Sequence, residues 1–177
     1  MSYEFNRPEE QEIWNHLIAS DPTSPLRGLN EFVIDDAAPL LPAAVAALAL
    51  AVNGSRVIAV CGPGSEVHPV PDNPGDVMYS LDVHLLTEEG IYSSKVASLS
   101  DYNDRVAVAW TPWSQVSSLL LESNASQILG ETYPSSTHVS FELPDGTRLT
   151  VGGRHRHADN VGVALEVFKI IQMHTGG

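Results

Sequence analysis

From Val77 onward the chain alternates. Tyr79, Leu81, Val83 and Leu85 fall on one side of an extended backbone and Ser80, Asp82 and His84 on the other, the period-two pattern of a strand with one buried face. Thr87-Glu88-Glu89-Gly90 turns this strand into a second over 91–98. An Asp101-Tyr102-Asn103-Asp104 turn leads to a third over 105–110, in which Val106, Val108 and Trp110 alternate inward, and Thr111-Pro112 breaks the run. Residues 113–122 are strand-like again, and a Ser- and Asn-rich loop is expected from there to Ser136. Val139, Phe141 and Leu143 enter a hairpin at Pro144-Asp145-Gly146, and Leu149 and Val151 leave it. Upstream, Arg56–Val60 is a short β-branched strand, whereas 62–76 holds four prolines and three glycines and is expected to be a long loop.

The two ends of the chain have a helical period. Pro8 with Glu9, Glu10 and Glu12 suits a first helical turn, and Ile13, Trp14, Leu17 and Ile18 supply an apolar stripe that stops near Ser20. A proline-punctuated loop, Asp21–Pro25, follows, and then an Ala-rich helix over 39–52, capped by Asp35 or Asp36 and stopped at Asn53-Gly54. After Gly152-Gly153, Asp159 can cap a final helix with Val161, Leu165, Phe168 and Ile171 or Gln172 along one face. The order is two helices, seven strands and one helix. It divides at Gly54 into an N-terminal helical extension, 1–54, and a mainly β region, 55–177.

Seven consecutive antiparallel strands followed by an amphipathic helix resembles the pleckstrin-homology-like superfold, in the form found in bacterial PH and GRAM-type domains. The stretch Val108-Ala109-Trp110-Thr111-Pro112-Trp113-Ser114-Gln115-Val116-Ser117-Ser118-Leu119 looks like their succession of strand, proline step and small-residue strand, and Phe141–Val151 looks like their penultimate hairpin. The resemblance covers about residues 55 to 177. It implies an α+β, mainly β fold: a seven-stranded antiparallel PH-like barrel capped by the C-terminal helix, here with an N-terminal helical hairpin. It also implies a binding or scaffolding module for lipid headgroups, peptides or a partner domain. Lipid-binding members carry Lys and Arg near the first inter-strand loop, but 62–76 has neither and offers Glu66, Asp72 and Asp76 instead.

Charge narrows the choice of partner. Nine Lys+Arg against 22 Asp+Glu give a net charge of −13 over 177 residues, which repels phosphate backbones and anionic lipids, so neither nucleic acid nor a stable membrane association is expected. With 43% hydrophobic and 18% charged residues the chain has enough apolar material for a core. Its one cysteine, Cys61, excludes an internal disulfide. The acidic N-terminus has neither a basic nor an apolar signal region, so a cytoplasmic location is expected. The apolar run 39–52 is short of the ~20 residues that a membrane-crossing helix needs.

No cofactor or metal is expected: the Gly62-Pro63-Gly64 start of a phosphate loop lacks its third glycine, since Val67 stands there, and no zinc-ligand spacing occurs. The candidate binding site is the basic cluster Arg154-His155-Arg156-His157, between a double glycine and a helix start, where backbone N–H groups favour anions, with Arg148 assisting. Its histidines titrate near neutrality; the bland alternative is a solvated linker. His155 and His157 with His138 or His174 form only a weak metal candidate. Trp110 and Trp113 flank Pro112; Trp113 is a candidate peptide-gripping residue, the alternative being two core anchors around a bulge. The expectation is therefore a non-enzymatic protein-binding or self-assembly module, working with a protein partner or as a homo-oligomer. The rival is a small enzyme or ligand-binding barrel using Cys61 with His68 or His84, or a pocket near the 62–76 loop.

Overall fold

The computed structural model describes residues 6–19, 40–70, 73–98, 105–128, 131–154 and 158–175. Its elements are α1 (Pro8–Ala19), α2 (Leu40–Val52), β1 (Val57–Val70), β2 (Asn73–Thr87), β3 (Gly90–Ser98), β4 (Arg105–Pro112), β5 (Ser117–Ile128), β6 (Glu131–Glu142), β7 (Arg148–Arg154) and α3 (Ala158–Thr175), with a short 3-10 turn at Trp113–Gln115. The strands form two antiparallel sheets, ordered β1-β2-β3-β4 and β5-β6-β7. The protein is mainly β, and no ladder among the described residues closes these sheets into a barrel. The chain divides into two compact units: Met1–Thr87 with Ile91–Trp110, and Glu88–Gly90 with Thr111–Gly177.

In the first unit α1 begins as its acids require, with Glu10 buried and its carboxylate accepting the Asn6 backbone N–H at 3.1 Å. Pro42 is tolerated in the first turn of α2, where its missing N–H has no helical partner to lose. Asn53 and Gly54, with φ of 44° and 92°, end that helix in the left-handed region. The caps expected at Asp35 or Asp36 and the loop Asp21–Pro25 lie outside the described residues. Ala44, Val45, Leu48, Ala49 and Val52 of α2 share one core with Ile13 of α1 and with Val57, Leu81, Val83, Leu85 and Val96 of the sheet. One of the divisions between the compact units falls after Trp110, and the apolar helices have their burial partner in the first sheet.

Two segments expected as loops are strands. β1 and β2 pair through the proline-rich stretch, from Gly64↔Asp82 to Pro69↔Val77. Proline counts argue against a central strand, but β1 is an edge strand, and two of its three register shifts fall at Cys61/Gly64, around Pro63, and at Pro69/Val70, the third lying at Val57/Ala59. The shift at Cys61/Gly64 takes Pro63 out of the ladder, whereas Pro69 keeps its place opposite Val77 and is followed at once by the shift at Pro69/Val70. The Ser- and Asn-rich stretch likewise continues β5 and opens β6, with Pro134 beside a shift at Asn124/Ala125 and beyond the reach of β7, whose pairing stops at Ser136↔Arg154.

The second unit is held by a different core. The turn at Trp113–Gln115 replaces the expected start of a strand and buries Trp113, whose ring meets Phe141 edge-on with centroids 6.0 Å apart. Val139 and Phe141 of β6 and Leu149 and Val151 of β7 are buried, and α3 buries Ala164, Val167 and Ile171. Leu165, expected on the inner face of this helix, is 40% exposed, and Phe168 is only half-buried. The stripe is rotated because the small Ala164 lets the helix approach the sheet more closely than Leu165 would.

Candidate functional site

The constellation that the structure assembles is one that sequence spacing left open. In the β1–β2 ladder Cys61 stands opposite His84, and in the β2–β3 ladder His84 stands opposite Ser93. Direct cross-strand partners lie side by side on one face, so thiol, imidazole and hydroxyl form a row across three strands. His84 Nδ1 and Ser93 Oγ are hydrogen-bonded at 2.8 Å. Cys61 and His84 are both buried. Asp82 sits two residues before His84 on the same strand face, and its Oδ1 is buried with no hydrogen-bond partner.

Burial decides what this row can do. It pushes the Cys61 thiol from its ordinary value of 9.0 up to about 12, because a buried site disfavours the thiolate. A nucleophilic cysteine works as the thiolate and needs a depressed pKa or an adjacent base. Here the thiol stays protonated at neutral pH, and the imidazole beside it is bonded to Ser93. The row acts as internal polar packing that links β1, β2 and β3. The alternation from Val77 already placed His84 on the polar face of its strand. The opposing position of Cys61 was hidden because its register depends on the hairpin continuing through 62–76.

The expected binding residues divide into three groups. Trp113 is fully buried, so it packs the core and presents no surface; Trp110, expected to point inward, is 54% exposed. It shares the face of Val106 and Val108, which pack against the first core, but it lies farther along the strand. Alternation fixes the face of a side chain and not how far the covering helices reach. Arg148 is exposed at the start of β7, opposite Glu142 in the ladder, and Arg154 ends that strand opposite Ser136. His155, Arg156 and His157 lie outside the described residues, so the basic cluster is located only by its flanking β7 and α3. Of the histidines considered as metal partners, His138 stands in β6 opposite Glu122 and Gly152, and His174 Nδ1 donates to the Ile170 carbonyl at 2.8 Å. Among the described residues no group of three or more His, Cys, Asp or Glu is placed to hold a metal ion.

No protein-family model, curated protein or solved structure matches this chain. No described helix is long and apolar enough to cross a membrane.

Proposed function

We propose that this chain is a non-enzymatic module that works by binding another protein or by self-assembly, in the cytoplasm, and that its seven strands and C-terminal helix form a PH-like β-barrel. The order of elements supports the fold reading: seven antiparallel strands in succession, followed by a helix that packs on the last three. The observation that carries the function is Trp110. A tryptophan 54% exposed at the end of an edge strand, two residues before Pro112, leaves a large rigid apolar surface in water. Trp is also the residue type most enriched among side chains that dominate protein interfaces. The net charge of −13 turns nucleic acid and anionic lipid away and leaves a protein as the favoured partner class. Arg154, His155, Arg156 and His157 are proposed as a second, anion-facing patch on the same module; Arg148, at the opposite end of β7 and roughly 20 Å away along the strand, stands outside it.

The test is native affinity capture from the cytosol of the source cell with the wild type, Trp110→Ala and the Arg154→Gln/Arg156→Gln double variant. The recovered protein is then recombined, purified, with each form. A stoichiometric complex that Trp110→Ala weakens supports the reading. A partner bound equally by all three forms removes both proposed surfaces, and a chain that is monomeric and captures nothing removes the function.

A further inference from the structure

The turn that ends α2 joins a reactive side chain to an unguarded backbone nitrogen. Asn53-Gly54 is the single Asn-Gly step in the chain. Both residues are exposed and lie in the left-handed region, at φ 44° and 92°, so the helical ladder that would occupy the Gly54 N–H has already ended. The Ser55 N–H donates to the Val52 carbonyl at 3.1 Å, passing over the pair. Among the described residues no hydrogen bond reaches the Asn53 carboxamide or the Gly54 N–H, and nothing lies within 4 Å of where a Gly54 Cβ would stand. Comparable residues elsewhere are tied. In Asp145-Gly146 the Gly146 N–H donates to the Leu143 carbonyl and the Asp145 carboxylate accepts the Thr147 N–H, each at 2.9 Å. Asn15 accepts from Gln11 within α1, Asn124 donates to Ser136 across the β5–β6 ladder, and Asn73 precedes Pro74, which has no N–H to lose.

We infer that Asn53 is a self-modification site, converted by water to isoaspartate as the protein ages, and that the conversion loosens the end of α2 from the sheet. The Gly54 nitrogen, having lost its proton, attacks Asn53 Cγ; the N–Cγ bond forms, the Cγ–Nδ2 bond breaks, and ammonia leaves with the proton. Glycine places no side chain in the way of the five-membered ring. Water then opens the ring. Attack at Cγ gives aspartate, and attack at the Asn53 main-chain carbonyl gives isoaspartate, whose backbone runs through Cβ and Cγ. Either product sets a carboxylate at the negative end of the α2 dipole, where it is disfavoured. Isoaspartate also adds a methylene to the main chain between Val52 and Val57, which are buried in one core. That core has no slack for a lengthened connection, so the last turn of α2 gives way.

The test ages the purified full chain in mildly alkaline buffer, maps every asparagine by peptide mass spectrometry with fragmentation that separates aspartate from isoaspartate, and follows hydrogen exchange over 44–52. A synthetic peptide spanning 49–58 and the variant Asn53→Gln, whose longer side chain would have to close a less favourable six-membered ring, are aged beside it. In the folded wild type Asn53 is expected to convert about tenfold or more faster than Asn15 or Asn124, at a rate that rises with pH, with isoaspartate the main product. Exchange over 44–52 is expected to quicken about tenfold or more in the converted fraction, while Asn53→Gln keeps its original exchange throughout. Asn53 intact in the folded chain while the peptide converts would overturn the site, because the fold would then hold the turn shut. Conversion at Asn15 or Asn124 as fast as at Asn53 would overturn it as well. Conversion at Asn53 with unchanged exchange over 44–52 would overturn the loosening of α2.

Discussion

Gly152 offers the sharpest test of the packing in the second unit. It lies in β7 with φ +128°, and a Cβ built there would strike the Thr137 carbonyl oxygen and approach His138 Cα to 2.9 Å. Those atoms cannot easily retreat. Thr137 and His138 belong to the middle strand β6, laddered to Ser123 and Glu122 on one side and to Gly153 and Gly152 on the other. Gly152→Ala therefore combines a backbone conformation that costs about 1–3 kcal/mol for a residue with a side chain with an overpacking cost of about 1–3 kcal/mol. A total near 4 kcal/mol, the middle of that sum, corresponds to a fall in Tm of roughly 8–16 °C for a chain of this size. Gly54→Ala separates the two contributions: its φ is +92°, but nothing lies within 4 Å of the new Cβ, so strain alone, about 1 kcal/mol, is expected. Both variants are unfolded in guanidinium with tryptophan fluorescence as the probe, since Trp113 is fully buried in the same unit as Gly152. A loss at Gly152 no larger than that at Gly54 would refute the close approach of β7 to β6.

Three other outcomes follow from burial and helix chemistry. Trp113→Ala should destabilise by about 3–5 kcal/mol, whereas Phe168→Ala, at a half-buried position, should lose about 1–2 kcal/mol; calorimetry giving the reverse order would contradict the orientation of α3. Cys61 should react with iodoacetamide at pH 7.5 far more slowly than in the denatured chain. Because its folded pKa of about 12 lies above the unfolded 9.0, stability should be full below pH 9 and decline as pH rises from 9 towards 12, by at most about 4 kcal/mol. Cys61→Ala should flatten that decline, and rapid labelling of the native wild type would contradict the sealed row. Gly162, exposed inside α3 with open space at its Cβ, should stabilise the protein by about 0.5–1 kcal/mol when changed to Ala, as read from the same denaturation curves.

Most of the element order was legible because amphipathic periods survive without tertiary context: the alternation at 79–85, the turn at 87–90, the Pro144-Asp145-Gly146 reversal and the Asn53-Gly54 stop all lie where the pattern put them. The errors share one cause. Proline and glycine counts describe a segment, whereas tolerance of proline depends on whether a strand is at an edge and where its register slips, and both are properties of the assembled sheet. Residues 62–70, 123–128 and 131–136 were lost in this way, and with them the register that sets Cys61 opposite His84. Exposure was misjudged for a related reason. Leu165 is more apolar than Ala164 and Trp110 alternates correctly with Val108, yet depth is fixed by helix approach distance and by how far the covering helices extend.

The binding claim is tested most directly by titrating the purified captured partner into the wild type and into Trp110→Ala in a calorimeter. The account predicts a saturable, stoichiometric isotherm for the wild type and a dissociation constant raised about thirtyfold or more by Trp110→Ala, the size of effect that an interface tryptophan carries. Identical isotherms for the two forms, or no heat with either, would contradict it.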